Sequence, residues 1–303
     1  MAAASGLTDH AIVVTGAGRG VGAAAAAELA RLGARVVIND IDEVSARRTA
    51  AGIEAEGGRA VAQPGDVSVR ADAAALVARC IDEFGRIDGL FNNAALMAIG
   101  DFAEYDDRLL RRLLDVNVVG VANCAAEAVG PMLRQGSGAI LNVTSGAHLG
   151  LPHMSLYAAT KGAVATLTYA WAAETAGTGV RVNALSPLSL GHMTRMTDDY
   201  LIAKGHADAP VAAPPPESNA PVVAYLLSDR AGDVHGQVVR ITGTGLSLMT
   251  HPAIMTPVLD RPVWSYDDVD RAFREILGAR QAPIGIAYGE PATAAPAPAV
   301  PFD

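Results

Sequence analysis

The chain has 303 residues, half of them hydrophobic, and a formal net charge of −9. That length holds one large core or two small ones. The acidic balance argues against a nucleic-acid partner, whose phosphates would be repelled. The opening stretch, MAAASGLTDHAIVV, has no basic segment followed by a long apolar run, so no signal peptide is expected. The most apolar long window, Val116 to Leu133, contains Asn117, Asn123 and Glu127 and makes a poor membrane span. Cys80 and Cys124 fall in expected helices, form no metal-ligand spacing and suggest no disulfide. The expectation is a soluble, cytoplasmic protein of a reducing compartment, without metal, membrane or nucleic acid.

Short β-branched runs then alternate with longer alanine- and leucine-rich segments. AIVVT (11–15) leads through a glycine-rich turn into a helix over 21–32. ARVVIN (34–39) precedes a helix over 43–56, and the weaker run RAVAQ (59–63) precedes one over 69–84. IDGLFN (87–92) is followed by a long helix over 104–134, and GAILNV (138–143) by one over 155–176. GVRVNAL (179–185) precedes a helix over 217–228, and GQVVRIT (236–242) closes the series. Unbroken apolar runs suit strands buried on both faces. Gly33, Gly57, Gly85 and Gly177 stand just past helix ends, where left-handed backbone is wanted. The alternation predicts an α/β fold, a Rossmann-type doubly wound parallel seven-stranded sheet flanked by helices, over residues 5–250.

After Thr242 the pattern changes. A C-terminal extension over 251–290 has three prolines within 251–263. It carries one short helix from Tyr266 to Leu277, with Ser265 as N-cap and Gly278 past its end. The Pro/Ala-rich tail, 291–303, is expected to lack fixed structure.

The turn TGAGRGVG (15–22) is the first chemical signal. Gly16, Gly20 and Gly22 permit a tight turn and close backbone approach. The helix that follows offers free N–H groups and a positive dipole end to a pyrophosphate. The common G-x-G-x-x-G spacing is broken by Val21. Asp40 closes the second strand, where an acidic side chain accepts hydrogen bonds from an adenosine ribose. A carboxylate there repels a 2′-phosphate and favours NAD(H) over NADP(H). Arg19 pulls the other way, since a guanidinium in the loop attracts that phosphate. The competing reading of Asp40 is a helix N-cap. Asp66, in GDVS, either accepts from the adenine amino group or caps a turn.

TGAGRGVG, Asp40, GDV at 65–67, NNA at 92–94, Asn117, a serine ahead of a helix, and Tyr157-x-x-x-Lys161 occur in one order. In that order they resemble the short-chain dehydrogenase/reductase family, over about residues 8–245. A free tyrosine titrates near 10 and is a poor acid or base at neutral pH. A cation one helical turn away favours the phenolate. The resemblance makes Tyr157 the general acid/base and Lys161 its tuner and a partner of the nicotinamide ribose. It makes Ser145 the holder of the substrate oxygen and Asn117 the binder of a water that relays protons to Lys161. Asn117 reads alternatively as a helix-packing amide. Ser145 lies twelve residues before Tyr157, whereas thirteen is usual and falls on Thr144, a second hydroxyl. Ser145 is preferred because it follows the strand.

The resemblance implies a cofactor-binding set of Gly16, Arg19, Gly20, Val21, Gly22, Asp40, Asp66, Val67, Asn93, Ala94, Tyr157, Lys161, Pro187 and Thr194. Asn92 would also line the cofactor, Asn183 would brace the sixth strand, and Thr197 rivals Thr194. Ala95 and Leu188 replace glycines common in the family. His148, His153 and His192 lie near these motifs and read as loop or surface residues rather than metal ligands.

The implied reaction is reversible hydride transfer between nicotinamide and a secondary alcohol or ketone. PPESNAPVVAYLLS through GQVVRITG resembles the 3-hydroxyacyl-CoA and 17β-hydroxysteroid dehydrogenase branch, hence a bulky, largely apolar substrate. The alternatives are a polyketide-type ketoreductase, or a catalytically silent or non-redox dinucleotide-binding protein such as a scaffold, an epimerase or a cyclase. A homodimer or homotetramer is implied, through helices 104–134 and 155–176.

Overall fold

The computed structural model describes residues 6–282 except 105, 207, 208, 211, 253, 254 and 256, together with 300–301. Residues 1–249 and 250–303 form two compact units.

In the first unit strands and helices alternate as the sequence predicts. The order is β1 (Ala11–Val14), α1 (Gly20–Arg31), β2 (Arg35–Ile38), α2 (Glu43–Ala55), β3 (Arg59–Ala62), α3 (Arg70–Phe84) and β4 (Gly89–Asn92). There follow α4 (Asp107–Leu114), α5 (Gly120–Gln135), β5 (Gly138–Val143), α6 (Ser155–Glu174) and β6 (Val180–Pro187). The unit closes with α7 (His192–Ala203), α8 (Ala220–Leu227), β7 (Val238–Ile241) and β8 (Leu246–Met249). The strands lie in one sheet in the order β3-β2-β1-β4-β5-β6-β7-β8. β1 through β7 pair in parallel, so every crossover needs a helix. The order reverses between β1 and β4. There, at the carboxyl ends of the strands, a doubly wound sheet opens a crevice.

The expected seven strands are eight. β8 runs antiparallel to β7 after the turn at Thr242–Gly245, whose ends are joined by Thr242 N–H donating to the Gly245 carbonyl. It is an edge strand with Leu246 and Leu248 exposed, so it lacks the two-sided apolar burial of central strands such as β1, β4 and β5. α7 is a second addition. It lies between Gly191 and Gly205, in a stretch for which the alternation predicts no element.

Burial follows the strand pleat. Ile12 and Val14 face one layer with Leu29, Ile38, Phe91 and Val223, while Ala11 and Val13 face the other with Leu76, Leu90, Met132 and Ile140. Cys80 and Cys124 belong to the second layer. Burial pushes each thiol up to about 12, so both behave as small core hydrophobes.

The expected helix over 104–134 starts at Asp107, capped by Asp106, and widens into a π turn at Asp115–Val119. The run Asp107–Gln135 is long and apolar enough to cross a membrane, but half of its most apolar window is buried within the fold. Its apolarity is that of a helix packed on α3 and the sheet.

In the second unit, α9 (Tyr266–Ala272) opens on a reciprocal capping box between Ser265 and Asp268. It continues as a π turn over Phe273–Leu277 and a 3₁₀ turn over Gly278–Arg280. β9 (Leu259–Asp260) pairs in parallel with β10 (Val300–Pro301). The rest of the Pro/Ala-rich tail lies outside the described residues.

Candidate active site

A cavity of about 1360 Å³ runs along the carboxyl edge of the sheet. One end is lined by Gly16, Arg19, Gly20, Val21, Asp40 and Asp66, and the other by residues of α7 and the loops facing it. Ser145 and Tyr157 line it as well.

The glycine turn is laced to the segment after β4. Thr15 Oγ1 accepts from the Asn93 and Ala94 N–H groups, at 3.0 and 3.1 Å. Asn93 Nδ2 donates to the carbonyls of Thr15 and Gly16, both at 3.0 Å. Gly16 has φ +62°, and a Cβ there would lie 2.7 Å from the Ala94 Cα. A Cβ on Gly22 would sit 2.4 Å from the Gly16 carbonyl oxygen. Only glycine fits either place. Gly20 has open space beside it, and its φ of +60° is what calls for glycine there. The N-cap of α1 is Arg19, whose side chain makes no capping hydrogen bond, so the first helical N–H groups stay available for an anion. This donor set fits a dinucleotide pyrophosphate.

Asp40 ends β2 at the same end of the cavity. Its Oδ2 accepts from the Gly18 N–H at 2.9 Å, and its Oδ1 from the Asp42 N–H at 3.1 Å. The N-cap of α2 is Asp42 rather than Asp40. Gly18 went unnoticed in the sequence, yet a Cβ there would lie 2.8 Å from Asp40 Oδ2. Asp66 forms a turn, accepting from Ser68 N–H and Oγ, and is ion-paired with Arg112 at 2.9 Å. Burial works to raise the Asp66 carboxyl, but the Ser68 bonds and the Arg112 guanidinium outweigh it and hold it below the usual range. Val67 lines the cavity and packs against Gly120.

Asn92 departs from its expected place. It is buried, donating to Asn142 Oδ1 at 2.9 Å, and Asn142 donates in turn to Thr168 Oγ1 at 3.0 Å. Asn92 and Asn142 are register neighbours on β4 and β5, so both amides face one layer and satisfy each other there. Asn183 braces β6, donating to the Val234 carbonyl and accepting from the Gln237 N–H.

At the centre, α6 places Tyr157 and Lys161 one turn apart, both buried. Lys161 Nζ donates to the Val143 carbonyl at 2.8 Å and lies 5.7 Å from the Tyr157 ring centroid. Burial pushes the Tyr157 phenol up to about 12, while a hydrogen bond with Ser145 pulls it down. Burial also pushes Lys161 down to about 7. Burial is the largest cause of both shifts, because desolvation opposes the phenolate and the ammonium alike.

Ser145 and Thr144 face opposite ways. Thr144 is buried, its hydroxyl donating to the Lys161 carbonyl at 2.8 Å. Ser145 N-caps a 3₁₀ turn over Gly146–Leu149, its Oγ accepting from the Ala147 N–H at 3.2 Å. That turn, closed by a left-handed Gly150, takes up the shortened spacing before Tyr157.

Asn117 sits in the π turn and is fully buried. It accepts from the Leu96 N–H and donates to the Leu96 carbonyl and to Thr160 Oγ1, at 2.7, 2.8 and 3.0 Å. It thus clamps the Leu96 segment to α6. Ala95, Pro187 and Leu188 line the cavity.

At the far end, Thr194 donates to the Ser189 carbonyl and Thr197 to the Met193 carbonyl. Met97, Met154, Met193 and Met196 line this end and were not singled out in the sequence. Nor was Asp101, which ties the C-terminal end of α7 to the facing loop through His153 at 2.9 Å and Lys204 at 3.5 Å. His153 in turn stacks on His206, with ring centroids 4.5 Å apart. Scattered over the sequence from 97 to 206, they share no local pattern that would mark them as one wall.

The model of the short chain dehydrogenase family matches residues 10–201. The chain is 35% identical over 246 residues to 2-(S)-hydroxypropyl-CoM dehydrogenase 3 of Xanthobacter autotrophicus, covering 78% of this chain and 96% of that one. It is 38% identical to cis-4-hydroxycyclohexanecarboxylate dehydrogenase of Sinomonas cyclohexanicum, covering 78% and 96%. Among solved structures, a short chain dehydrogenase from Mycobacterium avium superposes with a TM-score of 0.79 at 29% identity, covering 94% of this chain and 99% of that one. A gluconate 5-dehydrogenase from Burkholderia cenocepacia, in complex with NADP and tartrate, superposes with a TM-score of 0.69 at 30% identity, covering 78% and 94%. The chain belongs to the short-chain dehydrogenase/reductase family, NAD(P)-dependent oxidoreductases that interconvert a secondary alcohol and its ketone.

Proposed function

We propose that this chain is an NAD(H)-preferring dehydrogenase of a bulky, largely apolar secondary alcohol or ketone, with Tyr157 as general acid/base. The observation that carries the reading is the junction of Ser145, Tyr157 and Lys161 between a glycine-built end of the cavity and an apolar one. When bound, the dinucleotide supplies the carbon that gives or takes hydride, and its oxidised ring adds a positive charge. Gly16, Gly20, Gly22 and the start of α1 would hold the pyrophosphate, and Asp40 the ribose. Val21, Asp66, Val67, Asn93, Ala94, Pro187 and Thr194 would line the rest.

Tyr157 moves the proton at the substrate oxygen. Ser145 orients that oxygen. Its Oγ accepts from the Ala147 N–H and its hydroxyl is hydrogen-bonded with Tyr157, which sets the two groups side by side for one substrate oxygen. Lys161 favours the phenolate when protonated, and Asn117 keeps α6 and the Leu96 segment in register around it. Asp40 supports NAD(H), because a carboxylate at the end of β2 disfavours a 2′-phosphate. The relatives include 3-oxoacyl-[acyl-carrier-protein] reductases of Staphylococcus aureus, 34% identical, which keeps a carrier-bound ketone as the second reading. A homodimer or homotetramer is supported by exposed Leu109, Leu114, Val119 and Leu133 along 107–135.

The test is reduced-nicotinamide absorbance with wild type and Tyr157→Phe. NADH and NADPH are each paired with 3-ketoacyl-CoA, steroid and polyketide-like ketones. Oxidation by wild type, at least ~100-fold slower in the variant and faster with NADH, is expected. Equal rates in the two proteins would remove Tyr157 from the chemistry.

A further inference from the structure

Behind the Ser145 turn lies a cation that the reaction scheme does not use. Arg240, half-buried on β7, is the register partner of Ser186 on β6 and donates to its hydroxyl at 3.1 Å. Its guanidinium fills the place a side chain on Gly146 would take, for a Cβ there would lie 2.4 Å from Arg240 Nη1. No carboxylate pairs with Arg240 among the described residues. On the other side of the turn, His148 Nδ1 lies against the Ser145 carbonyl and 3.2 Å from Thr144 Oγ1. The Thr144 hydroxyl proton is committed to the Lys161 carbonyl, so the ring N–H is the donor to both oxygens. The turn that orients the Ser145 hydroxyl is thus supported beneath by Arg240 and tied sideways to Lys161 through His148 and Thr144.

We propose that Arg240 is a positioning residue for Ser145. Its guanidinium, seated under Gly146 and fixed by Ser186, sets the height of the 145–149 turn and hence the direction of the Ser145 hydroxyl. Glycine at 146 leaves the guanidinium its seat. Gly146 is not among the residues with positive φ, so alanine is allowed there by the backbone and acts only by displacing the arginine. The inference rests on the assignment of Ser145 as the oxygen-orienting residue.

The experiment is a double-mutant cycle on full-length protein, with Gly146→Ala, Arg240→Met and the pair, beside Ser145→Ala and Arg240→Lys. The readouts are kcat, KM, the thermal midpoint and the dinucleotide Kd from fluorescence titration. Both single variants are expected to lose about 10- to 100-fold in kcat, with dinucleotide Kd and thermal midpoint close to wild type. The pair should lose no more than Arg240→Met alone, because the displaced group is already gone. Arg240→Lys, a cation without the planar fork, should recover only part. Wild-type kcat in both single variants, or additive losses in the pair, would overturn the proposal. Ser145→Ala separates this from the parent reading. If it abolishes turnover while the Arg240 variants do not, only the positioning role fails; if it is itself silent, the assignment of Ser145 fails.

Discussion

The two ends of the cleft are built by different means. At the glycine end, short side chains are bonded to backbone: Thr15 Oγ1 accepts from the Asn93 and Ala94 N–H groups, Asn93 Nδ2 donates to the Thr15 and Gly16 carbonyls, and the contacts at Gly16 and Gly22 leave no room for a Cβ. At the α7 end, the wall is made of side chains, and methionines are prominent among them. Methionine is unbranched and polarisable, and it fits irregular apolar shapes at little cost. The first end leaves little room for substitution, while methionine side chains let the second accommodate shape. A family can therefore keep its chemistry and change its substrate by altering one helix and its loops.

That comparison can be broken in several places. The largest effect is expected at the seam. The folded-state pKa of Lys161 lies near 7, whereas the unfolded chain protonates lysine up to about 10.5. Between those values the unfolded state binds the extra proton, so stability rises with pH, by at most about 1.4 kcal/mol per unit. Tyr157 acts oppositely, since its folded pKa near 12 exceeds the ordinary 10 and costs stability only above pH 10. Denaturant midpoints at pH 7, 8 and 9 should climb for wild type and stay flat for Lys161→Met. A flat wild-type series would mean that the buried ammonium keeps its charge.

Gly16→Ala comes next. Positive φ and the Ala94 backbone both oppose it, so a loss of about 1–3 kcal/mol in stability is expected, with at least ~tenfold weaker dinucleotide binding. Unfolding and fluorescence titration measure these, and wild-type affinity would show that the glycine end tolerates side chains after all. Asp40→Ala should lower the NAD/NADP ratio of kcat/KM about tenfold, through loss of a charged hydrogen-bond acceptor. An unchanged ratio would point to Arg19. The smallest effect is expected from Met193→Leu at the accommodating end. It conserves volume, so KM values across a ketone panel should move within about tenfold, with dinucleotide Kd unchanged. A collapse of kcat there would mean that α7 is as tightly specified as the glycine turn.

Much of this was readable along the chain. The strand runs, the helices between them, the glycine turn and the tyrosine–lysine spacing are local patterns, set by period and by distances of a few residues. By themselves they placed the sheet and the family. Only the tertiary structure decided the rest. β8 was not legible because an edge strand buries one side and carries a weak pattern. Thr144 and Ser145 are equivalent as letters. The strand end alternates its side chains, so the Thr144 hydroxyl turns inward to the Lys161 carbonyl while that of Ser145 meets Tyr157. Asn92 and Asn93 part company for the same reason. The direction of the Tyr157 and Lys161 shifts followed from burial, which belongs to the packed fold and not to the spacing of the two residues. The seat of Arg240 beneath Gly146 joins residues far apart in sequence, brought together by strand register that no local pattern encodes.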